Sequence, residues 1–216
     1  MRPSISTPLV RRKHVTGEST RTALMETAER LFATRGVEGV TLREIQVESG
    51  QSNTSVITYH FGSKAGLVRA LIKFRSETLT RRRDALPAPR SADARALVWL
   101  VVLPLMGSIQ DGEMFVPFLA RLSEHPSAHA AYWPDDVKDW SVAAEERIGT
   151  NVLSGLPSRL KRGRLAQLYN SVLNLLGELA RSNRRISELQ LHNYVDAWVG
   201  MLTAPVSEET AALLDR

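Results

Sequence analysis

The sequence predicts an all-α protein, and three observations carry that prediction. Apolar residues recur at steps of three and four along most of the chain, no segment alternates apolar and polar residues as a half-buried strand would, and helix caps or glycine and proline stops stand where the periodic segments begin and end. A chain of 216 residues can build one sizeable core, or a small domain attached to a larger one.

Residues 1–17 hold two prolines, several hydroxyls and the basic cluster Arg11, Arg12, Lys13, His14 without an apolar period, and read as a flexible basic arm. Leu24, Ala28, Leu31 and Phe32 then mark a helix over 19–35 that Gly36 closes. Thr41 and Glu44 form a T-x-x-E capping box for a short helix with Leu42 and Ile45 inward, and Gly50 ends it. Ser52 or Asn53 caps the next helix, which buries Val56 and Ile57, and Gly62-Ser63 breaks the chain before a helix that starts at Lys64. Pro87 and Pro89 mark a linker. An almost wholly apolar helix follows over 92–109 with Pro104 inside it, then one over 113–123 with Pro117 inside it, and both prolines predict kinks. Residues 125–134 read as loop, and helices are expected over 135–153, from Pro157 to Ser182 and from Ser187 to Thr203, with a turn or two over 207–215.

Composition narrows the function. There is no cysteine, which excludes disulfides, thiolate metal sites and cysteine nucleophiles, and a cytoplasmic location fits. The longest apolar run, 96–107, is too short for a bilayer, so no membrane association is expected. The net charge of +5 is unevenly spread: residues 1–83 hold 15 Lys/Arg against 7 Asp/Glu, whereas residues 84–216 hold 13 against 16. A basic amino-terminal part on an acidic remainder is the charge pattern of a nucleic-acid-binding domain joined to something else.

The stretch 41–64 supplies the matching shape. A short helix, a glycine turn and a second short helix rich in small hydroxylated residues form a helix-turn-helix, whose second helix enters the major groove. Ser52, Asn53, Thr54, Ser55 and Thr58 are small and able to donate or accept at bases or phosphates; Tyr59 and His60 stand where the helix meets the backbone; Lys64 adds its charge to the N-terminus of the following helix. The segments AERLFATRG, VTLREI, the glycine of ESG and YHFGSKAGL resemble the amino-terminal domain of TetR-family transcriptional regulators over residues 19–67. The run from Gly50 to Phe61 is one residue longer than the family's usual spacing, which predicts an extra residue or a bulge in the recognition helix, with Tyr59 as a displaced substitute for the family's phosphate-binding tyrosine. The resemblance implies a homodimer on double-stranded DNA at a near-palindromic operator, phosphate contacts from Thr41, Arg43, Lys64 and Tyr59, and base reading by residues 52–58. It divides the chain into the arm (1–17), a helix-turn-helix domain (18–66) and a helical regulatory and dimerisation domain (67–216).

In the helix over 157–182, Leu165, Leu168, Val172, Leu175 and Leu179 form one apolar stripe beside a second, and Leu191, Tyr194, Val195, Trp198 and Leu202 form another in the last long helix. Such doubly apolar helices predict a four-helix dimer interface, with Gly177 and Gly200 allowing close approach. Trp99, Leu103, Met106, Phe115, Phe118, Leu122, Trp133 and Trp140, with Arg121 as a polar anchor, are the candidate lining of a pocket for a small, mainly apolar effector, against the competing reading of ordinary core. His125 and His129 lack a third ligand, so no metal is expected; no cofactor motif, phosphate loop or nucleophile elbow is present, and the chain is not expected to be an enzyme. The sequence-level reading is thus a DNA-binding regulator, a repressor released by a small apolar ligand. The alternatives are control of the same fold by a protein partner, or a helical enzyme.

Overall fold

The computed structural model describes residues 10–53, 55–87, 93–124, 131–134 and 141–214, with side chains from Gly17 onward. Among these residues there are ten helices and no strand: α1 Val10–Arg35, α2 Leu42–Glu48, α3 Val56–Phe61, α4 Lys64–Asp84, α5 Ala94–Gln110, α6 Phe115–Ser123, α7 Val142–Asn151, α8 Ser158–Arg181, α9 Glu188–Thr203 and α10 Glu208–Ala212.

The Thr41–Glu44 capping box read from the sequence closes reciprocally on α2; beyond it, Ser187 and Gln190 close another on α9, and Asp93 accepts the Ala96 N–H at 2.7 Å to start α5. Three expectations are corrected. The stretch from Val10 to Gly17, expected as part of a flexible arm, continues α1, so the basic cluster at 11–14 lies on a helix. Pro117 stands at the third residue of α6, in the first turn, where its missing N–H costs no intrahelical bond and calls for no kink. Pro104 does lie inside α5. The third helix starts at Val56 after Ser55, not at Ser52 or Asn53.

Helices α1 to α3 pack on the start of α4 around Leu24, Ala28, Phe32, Ile45, Ile57, Leu67 and Leu71. Helix α4, at 21 residues about 31 Å long, continues out of this bundle and packs on α5. Apolar almost all round, α5 is enclosed by α4, α6, α7, α8 and α9. Helix α6 lies between α1 and α8. One continuous apolar cluster therefore runs through both regions, and the division expected near residue 66 falls inside a helix shared by the two.

Helices α8 and α9 are antiparallel: the Trp198 indole N–H donates to Ser171 at 2.9 Å, while Arg164 donates to the Leu202 carbonyl at 2.6 Å. The pairing corrects half of the expected dimer face. Leu168, Val172, Val195, Trp198 and Leu202 are buried in their own chain, because they form the seam between α8, α9 and the core. Leu165, Leu175, Leu179, Leu191 and Tyr194 are half-buried on the flanks. Gly177 also works inside the chain, since a Cβ there would stand 2.7 Å from the Ala120 Cβ where α8 crosses α6; Gly200 faces open space.

Candidate nucleic-acid interface and ligand clefts

Helices α2 and α3 meet at Gly50, whose φ of +72° turns the chain. Val56 and Ile57 anchor α3 in the core, leaving Thr58 exposed and Tyr59 83% exposed. Ser52, Asn53 and Ser55 are exposed in the turn ahead of α3, where the Asn53 side-chain oxygen accepts the Ser55 N–H at 2.9 Å. Val56–Phe61 is α-helical throughout, so the bulge expected in the recognition helix does not lie within these residues. Thr54 lies outside the described residues. Half-buried Phe61 packs on the core under the Arg21 guanidinium, 5.3 Å from the ring centre. Ser63 caps α4 by accepting the Gly66 N–H at 3.0 Å, which places Lys64 at the first position of that helix. Gly66 allows α4 to turn tightly off α3, since a Cβ there would lie 1.9 Å from the Phe61 carbonyl oxygen. His60 is half-buried beside Tyr59, their rings edge to face at 5.0 Å.

Thr41 departs from expectation. Its N–H and its hydroxyl both donate to the same Glu44 carboxylate oxygen at 2.7 Å, so neither proton is available to a phosphate. Arg43, exposed one position into α2, keeps that role open. The Thr41 hydroxyl and N–H, joined by Arg35 at 2.8 Å, hold the Glu44 carboxyl down to about 2. Because the folded value is the lower one, the stabilisation is complete above about 4.5 and is lost as pH falls towards about 2. Urea midpoints of the wild type and Glu44→Gln should therefore differ at neutral pH and converge across that window; a constant difference down to the acid end would count against the cap's charge.

The expected effector pocket is not one cavity. Phe115 and Phe118 are buried core, with Phe118 packed 6.1 Å from Phe32 of α1. Trp99 packs on His192, Leu103 is exposed, and Trp140 lies outside the described residues. The others divide among three clefts. Arg121, with Leu122, lines a cleft of about 230 Å³ between the end of α1 and α6, where it pairs with Glu124 at 3.3 Å. Trp133, with Leu122, lines one of about 320 Å³ between α6 and α8, together with Leu119, Ser141, Glu145, Leu165, Tyr169 and Leu173. Met106 lines a third of about 720 Å³ at the carboxy-terminal ends of α5 and α8. The second has the composition of a ligand site, with an apolar body and a few polar groups.

Sequence reasoning missed the buried charges that join the two regions. Arg75 of α4 donates to both oxygens of Glu29 on α1, at 2.5 and 3.2 Å, and to Glu113 in the α5–α6 turn at 2.8 Å. Arg82 binds Glu113 and Asp111, Ser108 donates to Glu113, and the Met114 N–H donates to Glu29 at 2.7 Å. Burial pushes the Glu29 carboxyl above the usual carboxylate range, against Arg75 and the Met114 N–H. Glu113 is also pushed up by burial, but the bonds from Arg82 and Ser108 and the charges of Arg75 and Arg82 outweigh it and leave the carboxyl low. A signal was present: Glu29 shares the inward spacing of Met25 and Phe32, and Arg75 that of Val68, Ile72 and Leu79. Tyr132 adds a further tie by donating to Glu38 at 2.8 Å.

Among the described residues no three His, Asp or Glu side chains are grouped to hold a metal, and no helix is long and apolar enough to cross a membrane. His125 and His129 lie outside those residues.

The described residues thus place a helix-turn-helix on a larger helical bundle, and similarity narrows what this fold is. Residues 24–71 match the family of bacterial regulatory proteins described as the tetR family. The match lies in the amino-terminal domain, and it is that domain which is similar to the family. It is 40% identical over 70 residues to the HTH-type transcriptional regulator TtgR of Pseudomonas putida, a match covering 32% of this chain and 33% of that relative. The alignment thus spans about a third of the curated relative. Over the whole fold, the chain resembles a candidate tetR family transcription regulator from Shewanella sp. PV-4, with a TM-score of 0.65 at 17% identity over 85% of this chain and 95% of that one. It also resembles a gamma-butyrolactone receptor (ArpA-like protein), with a TM-score of 0.54 at 18% identity over 87% and 97%.

Proposed function

We propose that the protein is a homodimeric repressor that binds a near-palindromic DNA operator and is released from it by a small, mainly apolar effector. The observation that carries the DNA-binding part is α3, anchored through Val56 and Ile57 while Thr58 and Tyr59 stand free, with exposed Ser52, Asn53 and Ser55 ahead of it. In this reading α3 enters the major groove, and Arg43, Tyr59, His60 and Lys64 hold the phosphates on either side. Lys64→Ala should weaken binding to every duplex and reduce the slope of log affinity against log salt by about 1. Asn53→Ala should instead change sequence preference. Fluorescence anisotropy on labelled duplexes checks both, and an unchanged salt slope for the lysine variant removes it from the contact set.

The effector belongs in the cleft beside Trp133. An occupant there presses on Leu119 and Leu122 of α6 and on Leu165 and Tyr169 of α8, and α6 passes the displacement to α1 through Phe118 and Phe32. It acts by favouring one of two spacings of the paired recognition helices, and it shifts operator binding only as far as its affinities for the two states differ. Binding should change Trp133 fluorescence and lower operator affinity, and Tyr169→Trp should fill the cleft and abolish both. An inducer whose effects survive that substitution binds elsewhere. For the dimer, the face left open by α8 and α9 includes exposed Gln167, Asn174 and Ala197 and half-buried Tyr194 and Met201.

A further inference from the structure

We propose that the cleft at the carboxy-terminal ends of α5 and α8 is a second ligand site, for a free amphipathic anion with an apolar body and an acid head group. Its volume of about 720 Å³ lies within the usual size of small-molecule sites. The apolar surface comes from Met106, Met114, Leu179 and Ile186, all half-buried, and the two methionines give it an adaptable lining. The polar rim is basic. Arg181 is engaged by Glu178 at 3.0 Å and by the Pro117 carbonyl, but Arg184 and Arg185 are exposed and form no ion pair with any described residue. The carboxylate in the lining, Glu113, is held by Arg75 and Arg82, each at 2.8 Å, so it leaves no negative charge uncompensated. Two guanidinium groups without an ion-pair partner among the described residues, beside an apolar hollow, match a ligand that is apolar along its length and anionic at one end, and arginine forks bind such heads with two parallel hydrogen bonds. A neutral apolar compound would leave both arginines unused.

The site also touches the junction with the DNA-reading region. Met114 lines the cleft and its N–H holds Glu29 of α1 at 2.7 Å, so an occupant bears on the turn that fixes α1.

The test is calorimetric titration of the full-length protein with decanoate, with 1-decanol as the neutral counterpart. Arg184 and Arg185 are exposed and outside the helices, so Arg184→Ala/Arg185→Ala should unfold like the wild type. Decanoate should bind the wild type saturably and the double variant roughly tenfold or more weakly, Arg184→Lys/Arg185→Lys should recover part of the loss, and 1-decanol should not distinguish wild type from variant. Tyr169→Trp, which fills the other cleft, should leave decanoate binding intact. The proposal is overturned if decanoate fails to bind the wild type below its micellar concentration, binds the double alanine variant equally well, or is lost from Tyr169→Trp instead.

Discussion

Replacing Arg75 with methionine should cost the folded protein about 3–5 kcal/mol, because it strips a buried carboxylate of its counter-charge. Arg75 is 9% exposed in its side chain and Glu29 only 2%, and Glu29 has no other cationic partner among the described residues. Against a total stability of about 5–15 kcal/mol this is a large fraction. Glu29→Met in the Arg75→Met background should return part of the loss, since the stranded carboxylate is then gone, and a double-mutant cycle in urea measures the coupling. The sign of the pH dependence follows from the raised Glu29 carboxyl, which burial pushes above 4.5 and Arg75 pulls back. Without Arg75 that value climbs further, and a raised folded value means that stability falls as pH rises through it. The deficit relative to wild type should therefore narrow as pH falls through the raised folded values towards about 4.5, and stay constant below it. A cost under about 1 kcal/mol would show the pair to be dispensable.

Trp198→Ala should be comparably severe, about 3–5 kcal/mol, because it empties the seam between α8 and α9. The ring is 3% exposed, its N–H is satisfied by Ser171, and Tyr194 lies 6.1 Å away. The loss belongs to the monomer fold and should appear at any protein concentration. Ala197→Arg, one residue along on the exposed side of α9, should behave in the opposite way: unfolding of the chain changes by no more than about 0.5 kcal/mol, but the dimer proposed above dissociates in sedimentation. If Ala197→Arg remained a tight dimer, the interface would lie on another face.

The helices were legible because their signals are local. Thr41 with Glu44, Ser187 with Gln190, and the apolar stripes of α1, α4 and α8 are each contained within a few turns, and the order capping box, glycine turn, short helix, capped helix is a local pattern too. The helix-turn-helix, its family and most of its exposed side chains could therefore be read from residues alone. Even there, Thr41 shows a limit: its residue type suits a phosphate, but its protons are taken by Glu44.

What only the tertiary structure decided is which apolar stripe faces what. Periodicity states that Val172 and Trp198 lie on an apolar face, but whether that face meets its own chain or a partner depends on how α5 and α6 pack beside it. The aromatic residues of the middle helices read as one pocket because they are close in sequence, yet helical geometry and crossing angles sent them to core and to three separate clefts. The junction charges were hidden for the same reason: Glu29 meets Arg75 across 46 residues and the Met114 N–H across 85, and no local period records such a meeting. Local sequence fixes hydrogen-bonded helices and their ends, whereas the pairing of faces is set by close packing among elements far apart in the chain.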